Sequence, residues 1–126
     1  MNIYVAHSTS FDFKKELYDP IRKSALNKIH NFVLPHEHST APYNSKEFFN
    51  TDCDLVIADV SNPSIGLGIE LGWADKKLIP IICIYKRGSE LSGSLKAVSQ
   101  IFLEYGTERS LISAIEKGID NITKKK

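Results

Sequence analysis

Glu70 has the surroundings of a catalytic carboxylate. It stands one turn into a helix-like segment, within the stretch Asp59-Val60-Ser61-Asn62-Pro63-Ser64-Ile65-Gly66-Leu67-Gly68-Ile69-Glu70-Leu71-Gly72, which follows a strongly apolar run. A strand, a tight loop and a helix in that order deliver backbone N–H groups and a few side chains to the carboxyl edge of a parallel sheet, where open α/β sheets bind their ligands. Gly66 and Gly68 permit a tight turn and close approach of a ligand, and Gly72 would let the helix pack closely on a strand. Free N–H groups at the helix start suit an anion. Ser64 lies in a Pro-Ser-x-Gly turn where hydroxyl and N–H groups converge on such an anion; the same serine would also serve as a helix cap. Asp59, at the strand end, either orients sugar hydroxyls or opens the loop. Glu70 itself faces the cleft or solvent.

The elements that must position these groups are legible as an alternation. Ile3–Ala6 is a short apolar strand, and His7, Ser8 and Ser10 follow it and would line the same cleft. Phe13, Leu17, Ile21 and Leu26 keep helical spacing over 11–27, with Pro20 inside that segment predicting a kink or an early break. Phe32–Leu34 forms a second strand, 35–44 a polar loop, and Ser45 is expected to cap a short helix through Asn50. Leu55–Ala58 is a continuous apolar strand, as expected where both sheet faces are covered. A helix follows over Leu67–Lys77, then a strand over Leu78–Tyr85 with Pro80 near its start. The segment 86–94 is a Gly/Ser-rich loop, a short helix follows near 91–98, and Ile101–Leu103 is the last strand. Thr107 caps a final helix with Leu111, Ile112, Ile115, Ile119 and Ile122 on its apolar stripe. This βαβαβαβαβα order predicts one α/β domain over 1–126, a flavodoxin-like (Rossmann-like) three-layer sandwich with a five-stranded parallel sheet in the order 2-1-3-4-5. Its switch point lies between strands 1 and 3, the two strands that lead into His7–Ser10 and into Asp59…Glu70.

Composition sets outer bounds. The chain has 126 residues, 42% apolar and 25% charged, with a net charge of +1, so nothing draws it globally to nucleic acid or to an anionic membrane. No apolar run reaches the roughly 18 residues that span a bilayer, and Met1–Ala6 is too short, and lacks the basic flank, for a signal segment. Lys124-Lys125-Lys126 reads as a solvated, frayed end. Cys53 and Cys83 have no metal-ligand spacing and are expected to be buried, reduced thiols, which points to the cytoplasm. His30, His36 and His38 do not form a metal set; on their loop they touch a ligand or remain surface residues. Trp73 is expected in packing or in a subunit interface. No cofactor and no metal are expected.

The stretch Asp54-Leu55-Val56-Ile57-Ala58-Asp59-Val60-Ser61-Asn62-Pro63-Ser64, continued by Gly66-Leu67-Gly68-Ile69-Glu70-Leu71-Gly72-Trp73-Ala74, resembles the nucleoside 2-deoxyribosyltransferase family, especially its branch of small 2′-deoxynucleoside 5′-monophosphate N-glycosidases. The resemblance extends more weakly along the chain, through Ile3–Ala6, Lys77–Ile81 and Leu91–Leu95. It implies that Glu70 attacks C1′ of the sugar and expels the nucleobase. A glycosyl-enzyme forms and passes to water or to another base, with no metal. An oxocarbenium-like transition state wants a carboxylate beside the anomeric carbon, and the leaving base wants a proton donor. By the same resemblance Tyr4 sits near the nucleophile, Ser64 binds the 5′-phosphate, and Ser92 or Ser94 adds a second phosphate ligand across a homodimer or higher assembly.

The chain also departs from that family. After strand 1 it carries His7-Ser8-Thr9-Ser10 in place of a Gly-Ser-x-Arg-like phosphate loop, so only Ser8 matches. The helix Ser45-Lys46-Glu47-Phe48-Phe49-Asn50 lacks the family's aspartate, with Glu47 or Asn44 as substitutes. The expected substrate is a nucleoside or its 5′-monophosphate. Base exchange as a transferase, and a non-catalytic nucleotide-binding or sensor domain, remain the alternative functions.

Overall fold

The computed structural model describes residues 1–41 and 43–124. Five parallel strands, β1 (Asn2–His7), β2 (Asn31–Val33), β3 (Leu55–Asp59), β4 (Ile81–Lys86) and β5 (Ile101–Tyr105), form one sheet in the order β2-β1-β3-β4-β5. This is the flavodoxin-like order expected from the alternation. His7 pairs in register with Asp59, so β1 and β3 end together at the carboxyl edge.

Alternation along the strands divides the core, because successive side chains point to opposite faces. Ile3 and Val5 of β1, Leu55 and Ile57 of β3, and Ile82 and Ile84 of β4 pack beneath α1 (Asp19–Lys23), α2 (Leu26–Ile29) and α5 (Glu108–Lys124). Tyr4, Ala6, Val56, Ala58 and Cys83 point the other way, beneath α3 (Ser45–Thr51) and α4 (Ile65–Lys76). The long helix α5 buries Leu111, Ile115 and Ile119 as its stripe predicts, and Thr107 caps it through Ser110 N–H at 3.1 Å. Among the described residues no helix is long and apolar enough to cross a membrane. Lys125 and Lys126 of the basic tail lie outside the described residues. Cys83 is buried, Cys53 is half-buried, and both are free thiols.

The structure differs from the sequence expectation at several boundaries. The first helix is not continuous. A π-helical turn at Lys14–Tyr18 runs into α1, where Asp19 N–H bonds back to Lys14. Pro20 has no N–H to give Glu16, and the wider turn absorbs that lost bond. The break falls at Ser24, which is extended, and not at the proline. Asn44, not Ser45, caps α3: its side chain accepts from Glu47 N–H at 3.3 Å, while Ser45 is buried. The last strand before the Gly/Ser loop starts at Ile81, because Leu78 belongs to the turn that closes α4. There Leu78 N–H bonds to Asp75 and Ile79 N–H to Ala74, at 2.9 and 3.0 Å, and Leu78 holds φ 61° with 90% of its surface exposed. Gly72 does not serve close packing on a strand, since a Cβ there would meet no atom within 4 Å.

Candidate active site

Tyr4 and Glu70 meet at the base of a cleft of about 420 Å³ at the carboxyl edge. Tyr4 projects from the middle of β1 toward α4, and Glu70 lies on the second turn of that helix. The Tyr4 hydroxyl donates to Glu70 Oε2 at 2.5 Å. Burial, and then the adjacent Glu70 carboxylate, push the Tyr4 phenol far above its ordinary range, so it stays protonated and remains a donor. The Phe49 ring meets Tyr4 edge-on with centroids 5.0 Å apart, which fixes the phenol's direction. One oxygen of Glu70 is thus oriented by a neutral donor, which costs the carboxylate less nucleophilicity than a cation would.

His7, Thr9, His36, Tyr43, Ser64, Gly66 and Trp73 also line this cleft. His7 belongs to a directed chain of hydrogen bonds. His36 N–H donates to the Tyr18 hydroxyl at 3.0 Å. His7 Nδ1 stands 2.8 Å from the Ser8 carbonyl, which can only accept, so Nδ1 carries the proton. His7 Nε2 then accepts from Tyr18 at 2.6 Å. That is a neutral imidazole, and burial lowers its pKa below the usual value accordingly. Burial pushes Tyr18 up to about 12. The His36 ring stands 5.9 Å from His7 and 5.8 Å from Phe13. Its loop is tied down next door, where Arg22 grips both Glu37 oxygens at 2.8 and 2.7 Å. These bonds raise the Arg22 pKa and lower that of Glu37.

Ser64 caps α4, its hydroxyl accepting from Leu67 N–H at 3.1 Å, while also lining the cleft. Capping uses an acceptor lone pair and leaves the hydroxyl proton for a ligand, so the two readings of Ser64 are compatible.

Of the residues singled out in the sequence, Tyr4, His7, Ser64, Gly66 and Glu70 come together in one cleft. His36 and Trp73 also line it, while the remaining candidates do not. Ser8 and Ser10 bond each other at 2.8 Å, and the cleft wall between them is Thr9. Gly68, Ser92 and Ser94 line a separate groove of about 370 Å³ on the other side of α4, shared with Ser64, Leu71 and Leu95. Asp59 is 1% exposed and points to the opposite sheet face, where Tyr105 and Ser61 occupy it. Asn44 and Glu47, the substitutes for the missing aspartate, bond each other at 3.0 Å on the exposed start of α3 and do not line the cleft. His38 is exposed and His30 stands 3.3 Å from the N-terminal amine. His36 is the cleft residue that sequence reasoning left undecided; its polar loop has no periodicity to show which way it turns. Trp73 lines the cleft mouth with 37% exposure, and Lys46 Nζ lies 5.7 Å from its ring.

No family model matches the chain. Among curated proteins it is 46% identical over 39 residues to a protein of Syntrophotalea carbinolica and 41% identical over 56 residues to one of Methanococcoides burtonii. Both are named "Putative 2'-deoxynucleoside 5'-phosphate N-hydrolase 1". These matches are local: the chain spans 28% and 46% of the two relatives' lengths. Among solved structures, a Clostridium botulinum CMP N-glycosidase superposes with a TM-score of 0.66 at 21% identity, covering 92% of this chain and 99% of that one. A conserved protein from Enterococcus faecalis superposes with a TM-score of 0.60 at 19% identity, covering 93% and 98%. The structural matches establish the fold. The names of the two curated relatives, matched over part of their length, agree with the resemblance of this chain to the N-glycosidase branch of the nucleoside 2-deoxyribosyltransferase family.

Proposed function

We propose that this protein cleaves the N-glycosidic bond of a (deoxy)nucleoside or its 5′-monophosphate, with Glu70 as nucleophile. A Glu70 oxygen bonds to C1′ as the C1′–N bond breaks, and the departing base takes the bond's electron pair and a proton. Water, or a nitrogen of a second base, then attacks C1′ and returns the Glu70 carboxylate. The observation that carries this reading is the Tyr4–Glu70 hydrogen bond of 2.5 Å inside a cleft at the carboxyl edge. A neutral donor orients one oxygen and leaves the other for attack. Ser64 and the N–H groups at the start of α4 would hold the 5′-phosphate. His36, on the far wall near His7, is the side chain of the cleft best suited to give the base its proton. The names of the curated relatives and of the structural neighbour support the substrate class.

The acceptor is water in the favoured reading. A homodimer completes the site: Ser92 and Ser94 face away from the cleft of their own Glu70. Ile65, Ile69 and Trp73 leave an exposed apolar stripe along α4 that borders the cleft mouth, spaced for a second subunit to cover.

The test is incubation with each deoxynucleoside, ribonucleoside and 5′-monophosphate, following free base by chromatography, with and without a second free base. Release of base from a 5′-monophosphate is the expected result, and new nucleotide formed with the second base would identify a transferase. Tight nucleotide binding with no base released from any substrate would overturn catalysis in favour of a sensor domain.

A further inference from the structure

Asp59 carries a buried carboxylate that no cation faces within salt-bridge distance among the described residues, yet its acceptor sites are well filled. Oδ1 accepts from Ser61 N–H at 3.0 Å and from the Ser61 hydroxyl at 2.6 Å. Oδ2 accepts from the Tyr105 hydroxyl at 2.5 Å. Ser61 Oγ in turn accepts from Lys86 N–H at 2.8 Å, and Val60 N–H continues the sheet to Ile84 at 2.9 Å. One side chain therefore joins the carboxyl ends of β3, β4 and β5. The backbone that leaves this knot is 60–64, which ends in the Ser64 cap of α4, six residues before Glu70.

We propose that Asp59 is a positioning residue: its carboxylate, held by Ser61 and Tyr105, sets the turn that presents Ser64 and the start of α4, and it never touches the substrate. The second half of this statement rests on where the carboxylate is held, turned onto Ser61 and Tyr105, and not on parity alone, since His7, its register partner on β1, lines the Glu70 cleft. Asp59 shares its face with Leu55 and Ile57, under α1 and α5, whereas Glu70 and Tyr4 stand on the face under α4. A carboxylate committed to three hydrogen bonds has little left to offer a sugar hydroxyl. It has much to offer a loop, because breaking a charge-assisted network in a buried place costs more than breaking its surface equivalent.

Three variants separate positioning from chemistry. Asp59→Asn keeps the shape, accepts from Ser61 through its carbonyl oxygen and donates its amide to the Tyr105 oxygen. Asp59→Ala removes the knot, and Tyr105→Phe removes one strand of it. Amide hydrogen exchange on the substrate-free protein reads the loop directly. In Asp59→Ala the amides of 60–67 exchange at least about tenfold faster while those of β1 keep wild-type rates, and Asp59→Asn stays within about threefold of wild type. The kinetic arm rests on the N-glycosidase reading. Asp59→Ala raises KM for a 5′-monophosphate about tenfold but leaves KM for the unphosphorylated nucleoside nearly unchanged, and Asp59→Asn restores the difference. A global loss of structure would move both substrates together. If Asp59→Ala does not fold, Ser61→Ala carries the same test, since it cuts the hydroxyl links to Asp59 and Lys86. Unchanged exchange over 60–67 in Asp59→Ala, or an Asp59→Asn protein as impaired as Asp59→Ala, would overturn the proposal. Absence of base release by the wild-type protein would refute the N-glycosidase reading, with the exchange result still deciding the role of Asp59.

Discussion

Tyr4 and Glu70, 66 positions apart in the chain, share a hydrogen bond of 2.5 Å between phenol and carboxylate. The bond connects β1 to the helix that carries the proposed nucleophile. Its removal in Tyr4→Phe leaves the ring packing against Phe49 in place and takes away a charge-assisted bond worth about 1.5–3 kcal/mol. Base release is expected to slow by about tenfold to a hundredfold in kcat, with KM little altered because the phenol does not hold the substrate. Steady-state kinetics of the variant measures this split. A change confined to KM would place Tyr4 in binding instead.

The buried neutral His7 makes stability sensitive to mild acid. Its folded pKa lies below the ordinary 6.5, so below that pH the unfolded chain binds more protons than the folded one, and stability falls as pH drops. Above 6.5 this contribution is flat. His30, also depressed by burial and by the N-terminal amine, acts with the same sign in the same window. The expected outcome is a lower melting temperature at pH 5 than at pH 7.5, with a smaller acid loss in His7→Gln, whose amide retains a donor and an acceptor. An equal acid loss in that variant would remove His7 from the explanation.

Leu78 stands at the position after the α4 cap that usually holds glycine. Its φ of 61° is unfavourable for a side chain with a Cβ, and its 90% exposure means that the side chain buries almost nothing in return. Leu78→Gly is expected to stabilise the protein by about 1 kcal/mol, readable as a shift in denaturant midpoint at unchanged slope.

Two glycines are expected to respond in opposite ways to alanine. A Cβ on Gly118 of α5 would come within 2.8 Å of Ile82 and 3.3 Å of Leu103, so Gly118→Ala overpacks the helix-sheet contact and costs about 1–3 kcal/mol. Gly68 of α4 opens onto empty space, so Gly68→Ala removes backbone freedom from the unfolded chain and stabilises by up to about 1 kcal/mol. Thermal unfolding of the two variants checks the signs. A destabilised Gly68→Ala would mean that a second subunit approaches that helix closely.

The sheet was legible because its strands are written as apolar runs. Leu55–Ala58 and Ile81–Ile84 have no polar face to offer, and each is followed by turn residues and a helix, which leaves few parallel orders to choose from. Of the Asp59–Glu70 stretch, Ser64, Gly66 and Glu70 line the cleft, whereas Asp59 and Gly68 do not. What lay beyond the sequence was tertiary in origin. Strand parity shows that Asp59 shares a face with Ile57, but not which face α4 covers, so the aspartate's distance from Glu70 could not be read. Ser92 and Ser94 follow a loop whose path depends on packing against α4, and Leu78 looks like strand because it is apolar and adjoins Ile79-Pro80-Ile81. His36 sits in a polar loop, where only tertiary contacts, its ring against His7 and Phe13 and its backbone N–H on Tyr18, show that it turns inward.

The most direct test of Glu70 as nucleophile is the rate of base release by Glu70→Ala and Glu70→Gln, measured by chromatography on whichever nucleotide the wild-type protein cleaves. Both variants keep α4 intact, since Glu70 is a partly exposed helical residue. A fall of about a thousandfold or more in kcat in both, with nucleotide still bound, is the predicted result. Base release that continues near the wild-type rate in either variant would contradict the account.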